Sequence, residues 1–380
     1  MKKIIATILV FACIIVAGIF FIRFNKQETD VTKTKTKVGF LLNGKVDDHS
    51  WGESHYNGMK ISAEELNLDV VYKEAVPEDE RCVATIEELI EYGCKIIICD
   101  SFGYGEWELE CAKKHPDIYF YHATGVEESD NLSTYFGRIY QMRYLSGIVA
   151  GMQTETNEIG YVAAFPIAEV NRGINAFTLG VRMVNPDAKV YVKWSNSWTG
   201  EEENAAATKE LLEEHNIDVL AMHSDAMSPM EIADKNGIWI IGYNVDNSNR
   251  FPDTYLTAPV WNWEKFYEPR ILECLQGKFQ GIHYWEGIES GVVDLAPLTS
   301  NVKPGIAEKV EEERLRLMSG TFDVFYGPIT DNEGNDVLDE NNKSLPIDTL
   351  LKDVTTLNIG TSKSIIIGTK SVESNSNESN

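Results

Sequence analysis

The chain opens with a run of nineteen uncharged, largely apolar residues, 4–22, behind Met1-Lys2-Lys3. At about 1.5 Å per helical residue this run spans roughly the 30 Å hydrocarbon core of a bilayer. From Lys37 the pattern changes to short apolar runs, then loops, then amphipathic stretches, repeated many times. Strands are predicted at 37–42, 70–73, 95–99, 118–122, 158–164, 189–194, 218–223, 239–244, 255–259 and 291–296. Helices are predicted at 51–67, 81–92, 105–114, 140–151, 171–184, 202–215 and 263–276. Strand and helix in alternation predict an α/β protein with parallel sheets and right-handed crossovers. The units are too many for one modest sheet. They suit two doubly wound lobes, 37–155 and 156–255, joined by a hinge, with parts of 256–320 and of 285–350 returning to complete the first and the second. Near the C-terminus, 325–329 and 337–338 flank Asp331-Asn332-Glu333-Gly334, which reads as a β-hairpin.

Residues 1–23 carry three readings. No clear small-residue cleavage site follows the apolar run, which favours an uncleaved membrane anchor. Val10-Phe11-Ala12-Cys13 resembles a degraded lipoprotein box, and a cleaved signal is the third reading. Residues 24–36 form a polar spacer, and 361–380 form a tail expected to be disordered, its end rich in Ser, Asn and Glu. The expected location is the outer face of the cell membrane, reached through the N-terminus.

Composition narrows the partners. With 34 basic and 59 acidic residues, the formal net charge is −25, which disfavours a nucleic-acid partner. A length of 380 residues exceeds what one compact core usually holds, in keeping with two lobes. Outside the apolar run lie five cysteines, an odd number, so a fully paired framework within one chain is excluded. No Cys/His cluster has zinc spacing, and His49 and His55 fall on different helix faces. No metal and no cofactor is expected.

In open parallel sheets ligands bind beyond the carboxyl ends of the strands. There the chain repeatedly places aromatic and Asp/Asn residues. The candidates are Asp48, Trp51, Phe102, Tyr104, Phe165, Trp198, Asp225, Asp246, Trp261 and Asn262. Each has a plainer role open to it: Asp48 and Asp246 as caps, Trp51, Trp261 and Trp263 as packing groups, Trp198 as a loop anchor. Their recurrence points to a cleft for a flat polar ligand, with aromatic faces sandwiching a ring and carboxylates accepting from an amine or a diol. Asp246 is expected to be a principal polar contact. Phosphate-loop, nucleophile-elbow, zincin and dinucleotide motifs are absent, so no catalytic residues are assigned and an enzyme is not expected.

An ordered set of short motifs then carries a family resemblance. Lys37-Val38-Gly39-Phe40-Leu41-Leu42, Asp48-His49-Ser50-Trp51-Gly52 and Tyr56-Asn57-Gly58-Met59-Lys60 resemble the opening of the basic membrane protein (BMP) family. Tyr144 to Gly151, Ile159-Gly160-Tyr161-Val162, Val184-Asn185-Pro186-Asp187, Ile241 to Asp246 and Gly327-Pro328-Ile329 continue the match. The family comprises substrate-binding proteins of ABC transporters with the type I periplasmic-binding fold. Its better-known members bind purine nucleosides. A subgroup that looks adenine-binding is matched by Ser101 to Tyr104, His122 to Gly125, Phe165 to Ile167 and Gly173 to Gly180, a stretch that adds Asn175 to the candidate site. The nucleoside pattern has a lysine where this chain has Trp261. The resemblance implies a monomeric receptor that captures a purine base or nucleoside, adenine-like favoured, and delivers it to ABC permease subunits. A membrane-tethered ligand-sensing regulator on the same scaffold is the alternative.

Overall fold

The computed structural model describes residues 35–325, 329–330 and 336–338. The apolar run 4–22 and the tail 361–380 lie outside the described residues. Among the described residues no helix is long and apolar enough to cross a membrane.

The first lobe is laid down by β1 (Thr36–Leu41), α1 (Trp51–Leu66), β2 (Leu68–Lys73), α2 (Arg81–Glu91), β3 (Ile96–Cys99), α3 (Gly105–Lys114), β4 (Tyr119–Ala123) and β5 (Leu132–Gly137). The second follows with α4 (Tyr140–Gln153), β6 (Glu158–Ala163), α5 (Ala168–Val184), β7 (Lys189–Trp194), α6 (Glu201–Glu214), β8 (Val219–His223), α7 (Ser228–Lys235), β9 (Trp239–Ile241) and β10 (Tyr255–Thr257). The chain then returns through β11 (Pro259–Trp261), α8 (Glu264–Leu275), β12 (His283–Glu286), β13 (Val293–Leu295) and α9 (Ile306–Met318).

Two sheets result, a six-stranded one ordered β12-β5-β4-β3-β1-β2 and a five-stranded one ordered β10-β9-β8-β6-β7. Parallel pairing sets β1 beside β3 and β6 between β7 and β8. Helices cover both faces, which is why β3, Ile-Ile-Ile-Cys, is buried at every position. Cys99 is thus the small buried apolar residue its context predicts, and all five cysteines of the described residues are buried and free. The chain passes between lobes near 138–139, near 258–262, and again between β12 and β13. An antiparallel pair, β11 with β13 in the register Pro259↔Leu295 and Trp261↔Val293, holds the crossing segments together.

Helices α7 and α9 are not among the predicted helices, and three further details differ from the pattern-based reading. Helix α4 packs most extensively against α5, so the chain leaves the first lobe after Gly137 and not near 155. Their approach is closer than side chains allow: a Cβ on Gly147 would run into the Phe177 carbonyl oxygen, and one on Gly180 into that of Tyr144. Strands β5 (Leu-Ser-Thr-Tyr-Phe-Gly) and β12 (His-Tyr-Trp-Glu) carry polar residues inside the ladder and have no apolar run to announce them. The strand predicted at 239–244 stops at Ile241, and the chain turns at Asn244, whose φ is +67°. The C-terminal hairpin is present as Ile329–Thr330 paired antiparallel with Asp336–Leu338, and its turn lies outside the described residues.

Candidate ligand-binding site

The carboxyl ends of both sheets meet across one seam, and the lobes touch there directly. Ser50, just before α1, donates its hydroxyl to Asp225 Oδ1 in the second lobe at 3.0 Å. Asn247 Nδ2 donates to the His49 carbonyl at 3.0 Å, and Arg250 Nη1 lies 3.1 Å from His49 Nε2.

The first-lobe wall begins with Trp51, the first residue of α1. Its indole N–H donates to the Asp100 carbonyl at 2.9 Å, which fixes the ring. The ring stands perpendicular to Trp261 and Trp263 at centroid distances of 5.8 and 5.7 Å. Beneath it lies buried His55, whose ring stacks on Trp263 and whose Nδ1 meets the Tyr267 hydroxyl. Burial holds His55 well below the usual imidazole range. Asp100, at the end of β3, is fully buried. One oxygen accepts from the Asn43 N–H at 3.0 Å, and the other has no protein partner. Burial raises this carboxyl well above its ordinary range. An orphaned, protonatable carboxyl beside a fixed indole is equipped to hydrogen-bond a ligand's polar edge.

The second-lobe wall is made by Phe165, after β6, and Trp198, after β7, with ring centroids 5.9 Å apart. Trp198 is backed by buried His223 at 6.1 Å. Under both runs a polar network: Arg143 lies 3.7 Å over the Tyr243 ring and donates to the Met222 carbonyl at 2.6 Å, and His223 Nε2 lies 3.5 Å from Glu169. Burial first, then the Arg143 and Arg172 charges, hold His223 well below the usual imidazole range. Asp225 is half-buried; burial, then the charge of Asp48, pushes its carboxyl up to about 8.

The hinge supplies the third wall. Trp261 stacks on Trp263 at 4.4 Å with an interplanar angle of 10°, and Phe136 lies tilted against it at 4.9 Å. Such aromatic pairs contribute about 0.5–1.5 kcal/mol beyond the area they bury. Trp261 Nε1 donates to Asn244 Oδ1 at 2.9 Å.

Of the predicted residues, Trp51, Phe165, Trp198, Asp225 and Trp261 lie at or beside the seam. The other predicted residues sit differently. Asp48 is committed to α1: its carboxylate accepts the N–H groups of Ser50, Gly52 and Glu53 at 2.8, 2.8 and 3.0 Å, leaving it a cap. Tyr104 is a core residue, fully buried with its hydroxyl on the Val76 carbonyl at 2.6 Å. Phe102 begins a short 3₁₀ turn and is 44% exposed. Asn175 lies in mid-α5, fully buried, with both side-chain polar atoms lacking a protein partner. Asn262 spends its amide on the Gly291 carbonyl at 2.9 Å. The expectation for Asp246 needs correcting, because it is exposed and accepts the Ser248 N–H at 2.9 Å as a turn cap. Asn244, two residues earlier, takes the buried position instead. Ser50, Asp100 and His223 likewise lie beside the seam and are not among the predicted residues. All four lie in the strand-end runs, but no pattern in the chain ranks them above their neighbours. Among the described residues no group of His, Cys, Asp and Glu is arranged to hold a metal ion.

A family profile described as Bmp, the PnrA-like ABC transporter substrate-binding proteins, matches residues 35–324. The chain belongs to the Bmp family. Its two-lobed architecture is the type I periplasmic-binding fold, and the family is one of extracytoplasmic binding proteins and not of enzymes. A purine-binding protein of Brucella abortus (strain 2308) is 35% identical over 312 residues, 82% of this chain and 89% of that one. A Haloferax volcanii protein with a provisional name as an ABC transporter glucose-binding protein, TsgA13, is 35% identical over 295 residues, 77% of this chain and 75% of its own. A solved ABC transporter solute-binding protein from Aeropyrum pernix K1 superposes with a TM-score of 0.66 at 17% identity, covering 78% of this chain and 95% of that one, a likeness of fold.

Proposed function

We propose that this Bmp-family receptor captures a purine base between its lobes and passes it to the permease of an ABC transporter. The observation that carries this reading is buried Asp100, with one orphaned carboxyl oxygen, beside a seam walled by Trp51, Trp261, Phe165 and Trp198. A purine offers a flat face for such walls and an amine or ring N–H for such a carboxyl. The groups that would serve a ribose diol are already engaged. Asp48 holds three backbone N–H groups, Asp246 caps its turn, and Asp225 Oδ1 accepts from Ser50 and Asn244. A free base is therefore favoured over a nucleoside. The name of the Brucella relative points the same way. Ligand capture works by hinge closure, with binding energy drawn from contacts that exist only when both lobes close. The Haloferax relative favours a second reading, a hexose, which would also stack on indole faces.

Residues 4–22 serve in this reading as an uncleaved tether, and the receptor acts as a monomer. Calorimetry with adenine, adenosine and glucose tests the ligand. Adenine binding more tightly than adenosine is expected; heat from glucose alone would overturn the purine assignment. N-terminal sequencing of the native protein tests the tether, which a start beyond Ile22 or a lipid on Cys13 would refute.

A further inference from the structure

We propose that Asn244 couples lobe closure to the setting of the Trp261 wall. The inference rests on the two-lobed receptor reading but not on the identity of the ligand. Asn244 is 1% exposed and touches all three parts of the seam. Its Nδ2 donates to Asp225 Oδ1 of the second lobe at 2.8 Å and to Ser50 Oγ of the first lobe at 2.9 Å. Its Oδ1 accepts the indole N–H of Trp261, on the hinge strand, at 2.9 Å. The Ser50 hydroxyl closes the ring by donating to the same Asp225 oxygen at 3.0 Å.

The donor count singles out an amide. Two N–H groups serve Ser50 and Asp225, one carbonyl serves the indole, and Ser50 gives its single proton to Asp225 while accepting from Asn244. An ionised aspartate at position 244 would have no donor for either partner and would face a second carboxyl group. A leucine would leave the buried Trp261 N–H unpaired. The backbone makes the arrangement local: Asn244 N donates to the Pro259 carbonyl at 2.9 Å, and its φ of +67° is one that asparagine adopts more readily than most residues. When the lobes part, Ser50 leaves, one amide proton loses its partner, and the amide that orients Trp261 is no longer held from both sides. Closure therefore sets the indole, and the indole stacked on Trp263 in turn favours closure.

The test uses the full chain with 5-fluorotryptophan in place of its eight tryptophans. Trp261→Phe identifies the Trp261 resonance in the fluorine spectrum. Ser50→Ala, measured without added solute, is expected to shift or broaden that resonance although Ser50 does not hydrogen-bond the indole. A Trp261 resonance unmoved by Ser50→Ala overturns the coupling. Asn244→Asp is expected to raise the radius of gyration in small-angle scattering and to weaken adenine binding roughly tenfold or more. Asn244→Ala serves in its place should the aspartate variant not fold. Wild-type protein that ignores adenine in calorimetry refutes the purine reading alone, while the fluorine result still decides the coupling.

Discussion

The α4–α5 interface and the seam between the lobes are both buried, and they are built on opposite principles. Between α4 and α5, Gly147 and Gly180 let one helix backbone lie against the other's carbonyl oxygens. Val181 and Phe177 pack beside them with no exposure at all. At the seam the contacts are few and polar: Ser50 to Asp225, Asn244 to both, Asn247 to the His49 carbonyl. Close apolar packing gains dispersion with every atom and tolerates no added volume. A seam of hydrogen bonds can exchange each partner for water at a net cost of only about 0.5–1.5 kcal/mol per bond. The first interface keeps one geometry, and the second can open.

Four substitutions sharpen that contrast. Gly147→Val should cost roughly 3 kcal/mol or more, because the Phe177 carbonyl cannot retreat without separating two helices. Urea unfolding measures it, and a loss under about 1 kcal/mol would show the helix pair to be looser than described. At the seam, Asp100→Ala should weaken adenine binding roughly 5- to 150-fold, with a loss of stability of about 1–3 kcal/mol because the Asn43 N–H loses its acceptor. Equal affinity would remove Asp100 from the site.

A smaller effect is expected from pH. The Asp225 carboxyl is raised to about 8 in the folded protein from an ordinary 3.8, chiefly by burial. A raised carboxyl binds its proton more tightly folded than unfolded. Its stabilising share is complete below the ordinary value and is lost as pH rises toward about 8. Melting temperatures followed across that window should fall more steeply in the wild type than in Asp225→Asn. Parallel curves would mean that Asp225 does not titrate there. The smallest effect belongs to Asp246→Asn. With an exposed carboxylate that only caps a turn, the variant should lose a fraction of a kcal/mol, about 0.5 or less, and keep its affinity for adenine. A large loss of affinity would restore Asp246 to the site.

How far the chain could be read depended on where each signal resides. Strands such as Ile96–Cys99, buried on both sides, announce themselves as apolar runs bounded by turns. Leu132–Gly137 and His283–Glu286 do not. Their Ser, Thr, His and Glu residues sit in a ladder because β5 and β12 pair with each other, with β5 also against β4, across about 150 residues of chain. Tyr104 reads as a strand-end aromatic like Trp198. Only the packing of α3 and β3 shows that one lies in the core and the other on the seam.

Local order along the chain determined the alternation of strand and helix, the two lobes, the Bmp resemblance and the strand-end zones where a ligand could sit. Those signals are short-range: an apolar period, a turn residue and a motif are each complete within a few positions. Tertiary structure decided which residue in each zone faces the seam. A backbone turn at Asn244 sends that side chain inward and leaves Asp246 in solvent. Three backbone donors at the start of α1 claim Asp48, while β3 leaves Asp100 buried with an oxygen to spare. These choices turn on backbone dihedrals and on partners as distant as the 194 positions between Ser50 and Asn244, and no local pattern encodes a contact of that range.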